Sequence, residues 1–153
     1  MIDINTIYNH KWQDTKISIL GAGKSGMSAA NLCKEIGAKP FISDNNNTIA
    51  LKNKLIKFDY ELDGHTDLIL SSELIIISPG INPNSSLIKN CIKNQIPIVS
   101  EIEFASWFTK IPIIAVTGSN GKSTTVNIIN NMFNCAEISC QLGGNFGTPF
   151  SEL

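Results

Sequence analysis

Arginine is absent from this sequence: all twelve basic side chains are lysine, set against thirteen acidic ones for a net charge of −1. Any phosphate the chain holds must therefore be met by lysine, backbone amides or hydroxyls, because no guanidinium fork is available. The near-balance of charge, with a pI near 6.1, removes the basic excess that non-specific binding to nucleic acid or to an anionic membrane needs. Cysteine is scarce as well. Cys33, Cys91, Cys135 and Cys140 form no C-x-x-C pair and lie in or beside apolar segments, a pattern that predicts buried free thiols in a reducing compartment and argues against a disulfide framework or a zinc site. No apolar run approaches the ~20 residues of a membrane span, and the N-terminus Met-Ile-Asp-Ile-Asn-Thr lacks a signal-peptide pattern. A cytoplasmic protein is expected, with neither nucleic acid nor membrane as a partner.

What is present supports a packed core. The chain is 42% hydrophobic and 16% charged over 153 residues, enough for one ordinary domain or for a small domain and part of another. After a polar lead-in, residues 16–20 read as a buried strand that runs into Gly21-Ala22-Gly23-Lys24-Ser25-Gly26, a G-x-G-x-x-G turn. Ala29, Leu32, Cys33 and Ile36 then recur at helical spacing, and the helix is expected to stop at Gly37. A second strand, 40–43, ends at Asp44, 18 residues past Gly26. Strand, glycine turn, helix, strand and terminal acid make the first half of a Rossmann-like unit, in which the turn meets a nucleotide phosphate and the acid a ribose. A purely structural tight turn and an ordinary exposed Asp44 are the plainer alternatives.

Residues 45–64 are polar and rich in lysine and asparagine, with one modest surface helix around Ile49, Leu51, Leu55 and Ile56. His65 has no second histidine or acid at metal spacing and reads as a surface residue. Residues 74–77 form a β-branched strand ending in Ser78-Pro79-Gly80-Ile81, a turn placed where an open α/β sheet puts its ligand contacts. An amphipathic helix over 84–94 and a strand over 96–99 follow. Ser100-Glu101-Ile102-Glu103 then has the spacing of a capping box opening a helix to about Phe108. Glu101 and Glu103, two apart, point to different helix faces and read as capping and solvated residues, not as an acid-base pair.

The most specific stretch comes next. An apolar run over 113–116, expected as a strand, meets Thr117-Gly118-Ser119-Asn120-Gly121-Lys122-Ser123-Thr124-Thr125, and a helix follows to about Asn134 with Val126, Ile129 and Phe133 facing inward. This is a phosphate-binding loop, although the general pattern wants glycine where Val116 stands. Glycines let the amides approach a phosphate, the helix start adds positive potential, Lys122 reaches the outer phosphates of a triphosphate, and the Ser123 hydroxyl joins the shell of Mg²⁺. A further strand over 137–142 and the turn Gly143-Gly144-Asn145-Phe146-Gly147 complete the chain's motifs. The expected fold is α/β: a Rossmann-like parallel-sheet domain over 1–99, then the start of a P-loop ATPase domain over 100–153, incomplete because such a domain needs further strands.

Taken in order, the 21–26 turn with Asp44, Ser78-Pro79-Gly80-Ile81, Ser100-Glu101-Ile102-Glu103, residues 117–125 and residues 143–147 resemble the N-terminal third of the D-glutamate-adding members of the Mur ligase family. The resemblance implies a peptidoglycan-precursor ligase in which ATP phosphorylates the carboxylate of UDP-N-acetylmuramoyl-L-alanine and the amine of D-glutamate attacks the acyl phosphate. It implies ATP and Mg²⁺ on Gly118, Ser119, Asn120, Gly121, Lys122, Ser123 and Thr124, with Lys122 and Ser123 as the catalytic pair and Ser123 as the metal ligand. It places Ser25 and Gly26 on the substrate diphosphate, Asp44 and Asn45 on the uridine side, and Gly80 and Asn145 further along. Members of this type often carry Thr-Arg after the acid, where Asn45-Asn46 stand here. A monomeric chain without the family's later metal ligands and amino-acid-binding domain is expected, and with it no ligation by these residues alone. The alternative is a stand-alone NAD-binding regulatory module.

Overall fold

The computed structural model describes residues 7, 10–144 and 147–153. Five short strands, β1 Lys16–Leu20, β2 Lys39–Ser43, β3 Asp59–Glu61, β4 Leu74–Ile77 and β5 Ile98–Ser100, form one parallel sheet in the order β3-β2-β1-β4-β5. The chain steps outward from β1 to β3, crosses to the other side of β1 for β4, and steps outward again to β5. The direction reverses between β1 and β4, and in open α/β sheets that reversal leaves a crevice at the carboxyl ends of the strands.

β1 and β4 are apolar on both faces because both faces are covered. Ile17, Ile19, Ile42, Leu74 and Ile76 pack under helices α1 Lys24–Glu35, α2 Ile49–Leu55 and, further along, α4 Glu101–Ser106. Leu20 and Ile75 face the other way, against Ile69 of a 3-10 turn over Asp67–Ser71 and Ile88 and Cys91 of α3 Ser86–Lys93. Ser18, fully buried in the middle of β1, pairs its hydroxyl with that of Ser72 at 2.7 Å, so no polar group is stranded in the sheet.

α1 sits close on the sheet because its inner residues are small: Ala29, Ala30 and Cys33 are fully buried. Burial pushes the Cys33 thiol up to about 12, which makes it packing material and not a nucleophile. Cys91 is also buried, whereas Cys135 is exposed and Cys140 half-buried, so the expectation of buried thiols holds for two of the four. The tightest approach is at Gly26, where a Cβ would overlap the Gly21 carbonyl oxygen.

The lead-in is less polar in effect than in composition. Trp12 is 9% exposed and stacks on Trp107 at 5.9 Å between ring centroids, with edge contacts to Phe104 and Phe108. Phe104 and Trp107 thereby bring residues beyond position 99 into the core of the first unit. α4 begins as its sequence predicts, with the Ser100 hydroxyl accepting from the Glu103 amide at 3.1 Å. The Glu103 carboxylate accepts from the Trp107 indole nitrogen at 3.1 Å, one helical turn on. Glu101 corrects the expectation of a solvated acid: it is buried and accepts from the Ser151 amide at 2.6 Å.

The second part departs from expectation in its strands. α5, Lys122–Cys135, forms as the spacing predicts. Residues 113–116 and 137–142 run without strand pairing, because an apolar run becomes a strand only when a neighbouring edge accepts its backbone. None of the described residues does so, and Ile113 and Ile114 are exposed at 48% and 58%. α5 buries no residue, and Val126, Ile129 and Phe133 on its apolar side are only half covered. Past it, Gly143 bridges Thr148, and a closing 3-10 turn, Phe150–Glu152, packs on α1 and α4.

Gly26→Ala should lower the stability of this chain by about 1–3 kcal/mol, the usual cost of forcing volume into a packed site. Urea unfolding of the two chains measures it, and an unchanged midpoint would contradict the close packing described.

Candidate functional site

Three neighbouring strands end on one edge of the sheet, and their carboxyl ends carry the residues singled out in the sequence. β1 runs into the 21–26 turn, β2 into Asp44 and Asn45, and β4 into the turn that holds Gly80. The turn after β1 is tied on both sides: the Gly21 amide donates to the Ser43 carbonyl at 2.8 Å, and the Ser78 hydroxyl donates to the Gly21 carbonyl at 3.2 Å. Ser78 also donates its amide to the Leu20 carbonyl at 3.0 Å, extending the β1–β4 ladder by one rung. The sequence marked Pro79-Gly80 but gave no reason to single out Ser78, whose role depends on which strand lies beside β4.

Asp44 organises this edge. It is 8% exposed. One carboxylate oxygen accepts from the Ala22 amide inside the glycine turn at 2.6 Å. The other accepts from the amide and the side-chain nitrogen of Asn46 at 2.7 and 2.9 Å. Burial pushes the Asp44 carboxyl up, but the Ala22 and Asn46 donors, with a smaller contribution from His65, outweigh it and hold the group below the usual carboxylate range. Asp44 is thus no ordinary exposed strand-end residue: its charge is spent on holding two turns together. Asn45 beside it is exposed, Ser25 is half-buried and Gly26 is buried at the start of α1, while Gly80 is exposed with open space around it. These five residues come together on one edge. Asn145 lies outside the described residues.

The phosphate loop is a second, separate place. Gly121 takes the left-handed conformation, φ 76°, as the residue that starts α5, and no side chain caps the helix. The first turn of α5 carries no acidic residue. Its leading amides are therefore left for an anion, with no carboxylate competing for them. Lys122 folds back across the loop, and its ammonium donates to the carbonyls of Gly118 at 2.5 Å and Ser119 at 3.4 Å. Gly118, Ser119, Asn120, Gly121, Lys122, Ser123 and Thr124 are all exposed. Among the described residues, no hydrogen bond or ion pair joins this loop to the glycine crevice. α1 is joined instead to the segment beyond α5, where the Lys24 ammonium donates to the Gly147 carbonyl and the Ser28 and Ser151 hydroxyls meet at 2.6 Å.

The donor set suits a magnesium nucleotide in part. Free helix amides, Lys122 and the hydroxyls of Ser123 and Thr124 fit phosphates and one metal position. No cluster of three metal-ligating side chains exists among the described residues. Mg²⁺ bound here would take its remaining oxygens from phosphates and water, which is the habit of this cation.

Because the folded-state pKa of Asp44 lies below its unfolded value, its clamp contributes stability above the unfolded value that is lost as pH falls through the folded one. Asp44→Asn should cost about 1.5–3 kcal/mol at neutral pH and flatten the decline in stability below about pH 4. Urea unfolding across a pH series checks both, and an unaltered pH slope would contradict the clamp.

Comparison with known proteins gives the family. A family model described as the Mur ligase MurD-like N-terminal domain matches residues 15–100. The UDP-N-acetylmuramoylalanine--D-glutamate ligase of Christiangramia forsetii is 37% identical over 145 residues, covering 90% of this chain and 32% of that protein. The ligase of the same name from Chlorobaculum parvum is 38% identical over 145 residues, 89% of this chain and 31% of that one. The chain thus spans about a third of the length of the curated relatives it matches. Among solved structures, a murein peptide ligase from Psychrobacter arcticus superposes with a TM-score of 0.57 at 23% identity over 80% of this chain and 27% of that chain. A UDP-N-acetylmuramate-alanine ligase from Thermotoga maritima does so with a TM-score of 0.50 at 23% identity over 80% of this chain and 30% of that chain. These two likenesses show a shared fold. With the family model covering the whole sheet and its crevice, the chain belongs to the Mur ligase family, in its MurD-like branch.

Proposed function

We propose that this chain supplies the substrate crevice and the ATP loop of a ligase that joins the amine of D-glutamate to the carboxylate of UDP-N-acetylmuramoyl-L-alanine. The observation that carries the reading is continuity. The likeness to D-glutamate ligases covers about nine-tenths of the chain, so it runs through both the glycine crevice and the phosphate loop. A free-standing NAD module would leave the second of these without a task. Nor does the crevice favour that module, since the acid it would use on a ribose already accepts three hydrogen bonds from the protein.

In this reading the amides of Ser25 and Gly26, at the start of α1, take the substrate diphosphate, as helix N-termini do. Asp44 and Asn45 border the uridine, and Gly80 and Asn145 meet the substrate further along. Lys122 exchanges the Gly118 and Ser119 carbonyls for the outer phosphates of ATP, while the free amides of residues 118–124 cradle them. Ser123 holds Mg²⁺ together with those phosphates. ATP supplies the phosphoryl group that activates the substrate carboxylate toward the amine, and the chain's contribution is positioning and charge. With no arginine in the chain, Lys122 is the cation of the loop.

No helix among the described residues is long and apolar enough to cross a membrane.

Lys122→Ala should weaken Mg-ATP binding by at least about tenfold, the loss of a charged contact, and leave the affinity for UDP-N-acetylmuramoyl-L-alanine within about twofold. Isothermal titration of each ligand into each chain measures this. Equal ATP affinity in the two chains would sink the assignment of the loop.

A further inference from the structure

A cluster at the carboxyl ends of β2 and β3 has no part in the roles above. The Ser43 hydroxyl, on a fully buried residue, lies 2.6 Å from a Glu61 carboxylate oxygen and 2.6 Å from His65 Nδ1. Glu61 also accepts from the amide of Thr66 at 3.0 Å and from its hydroxyl at 2.5 Å. Burial pushes the Glu61 carboxyl up, yet the Ser43 and Thr66 donors, helped by His65, hold it below its usual range, so it is ionised at neutral pH.

An ionised carboxylate 2.6 Å from a hydroxyl oxygen requires the hydroxyl hydrogen to lie between them. Ser43 has one such hydrogen, and Glu61 takes it. The Ser43 oxygen can then only accept from His65, so Nδ1 must carry a hydrogen. We propose that His65 is a positioning residue for the nucleotide crevice, donating from Nδ1 to Ser43 and so seating the 62–66 loop against the end of β2. Ser43 directly precedes Asp44, and the Gly64 amide donates to the Asp44 carbonyl at 3.4 Å. Moving that loop therefore moves the carboxylate that holds the glycine turn. The role rests on the proposed nucleotide binding at this edge.

The charged groups acting on His65 are Asp44 after β2 and Glu61 of β3. Asp63, on the loop itself, is engaged by the Asn47 side chain. Nδ1 bears hydrogen both in the imidazolium and in one neutral tautomer, so the arrangement survives loss of the ring charge.

Asparagine places an amide nitrogen near the Nδ1 position, and glutamine places one near Nε2. Titrating uridine 5′-diphosphate into the full chain should show His65→Asn within about twofold of the parent and His65→Gln weaker by about tenfold, the loss of one well-made hydrogen bond. Variants that bind alike would overturn the positioning role. Ring-nitrogen NMR shifts of the parent read the proton directly: a neutral His65 with bare Nδ1 would overturn the proposal whether or not either variant folds. A parent that failed to bind the diphosphate would overturn the functional reading and the positioning role with it, while a protonated Nδ1 would still uphold the hydrogen-bond order.

Discussion

The bond from the Ala22 amide to the Asp44 carboxylate joins the ends of β1 and β2 across a turn that could not otherwise hold its shape. The turn has a left-handed Gly21 and, beyond it, a glycine at the point where α1 meets the turn's own carbonyl. Its backbone donors and acceptors have left the sheet ladder and need partners of their own. Ser43, Ser78 and Asp44 supply them from the two flanking strands. Parallel pairing of β1 with both neighbours is therefore a condition for the crevice, because it brings those three residues to the same edge.

The two regions proposed to bind nucleotides differ in how they are supported. The crevice stands on a sheet with both faces covered, and its chief polar side chains are buried and fully engaged. The phosphate loop stands at the start of a helix with no buried residue, and its lysine is held by the loop's own carbonyls. A side chain engaged by neutral carbonyls gives them up more readily than a buried carboxylate gives up three donors. The first region is thus the more firmly held of the two, and the second has the more easily released contacts.

Much of this was legible in the residues. Short apolar runs and glycine punctuation were enough for β1, β2 and β4, and Ser100-Glu101-Ile102-Glu103 announced the start of α4. β3 was missed because Asp59-Tyr60-Glu61 is polar and half-exposed, an edge strand with one neighbour and little need for apolar residues. Trp12 was lost in a polar lead-in because its partners lie some ninety positions away. The runs at 113–116 and 137–142 have strand composition but no edge to join. His65 and Glu61 carried no motif, and Ser78 stood in one that assigned it no role of its own. Their significance appears only when strand order sets them beside Ser43 and Gly21, and no local pattern encodes strand order.

We propose that the uridine nucleotide of the substrate sits at the carboxyl edge of β2, β1 and β4. The most direct test is amide NMR of the chain during titration with UDP-N-acetylmuramoyl-L-alanine. The largest shifts are expected at residues 21–26, 44–46 and 78–81, with residues 118–124 little affected until Mg-ATP is added. Shifts confined to the 118–124 loop, or an unchanged spectrum at saturating ligand, would contradict that placement.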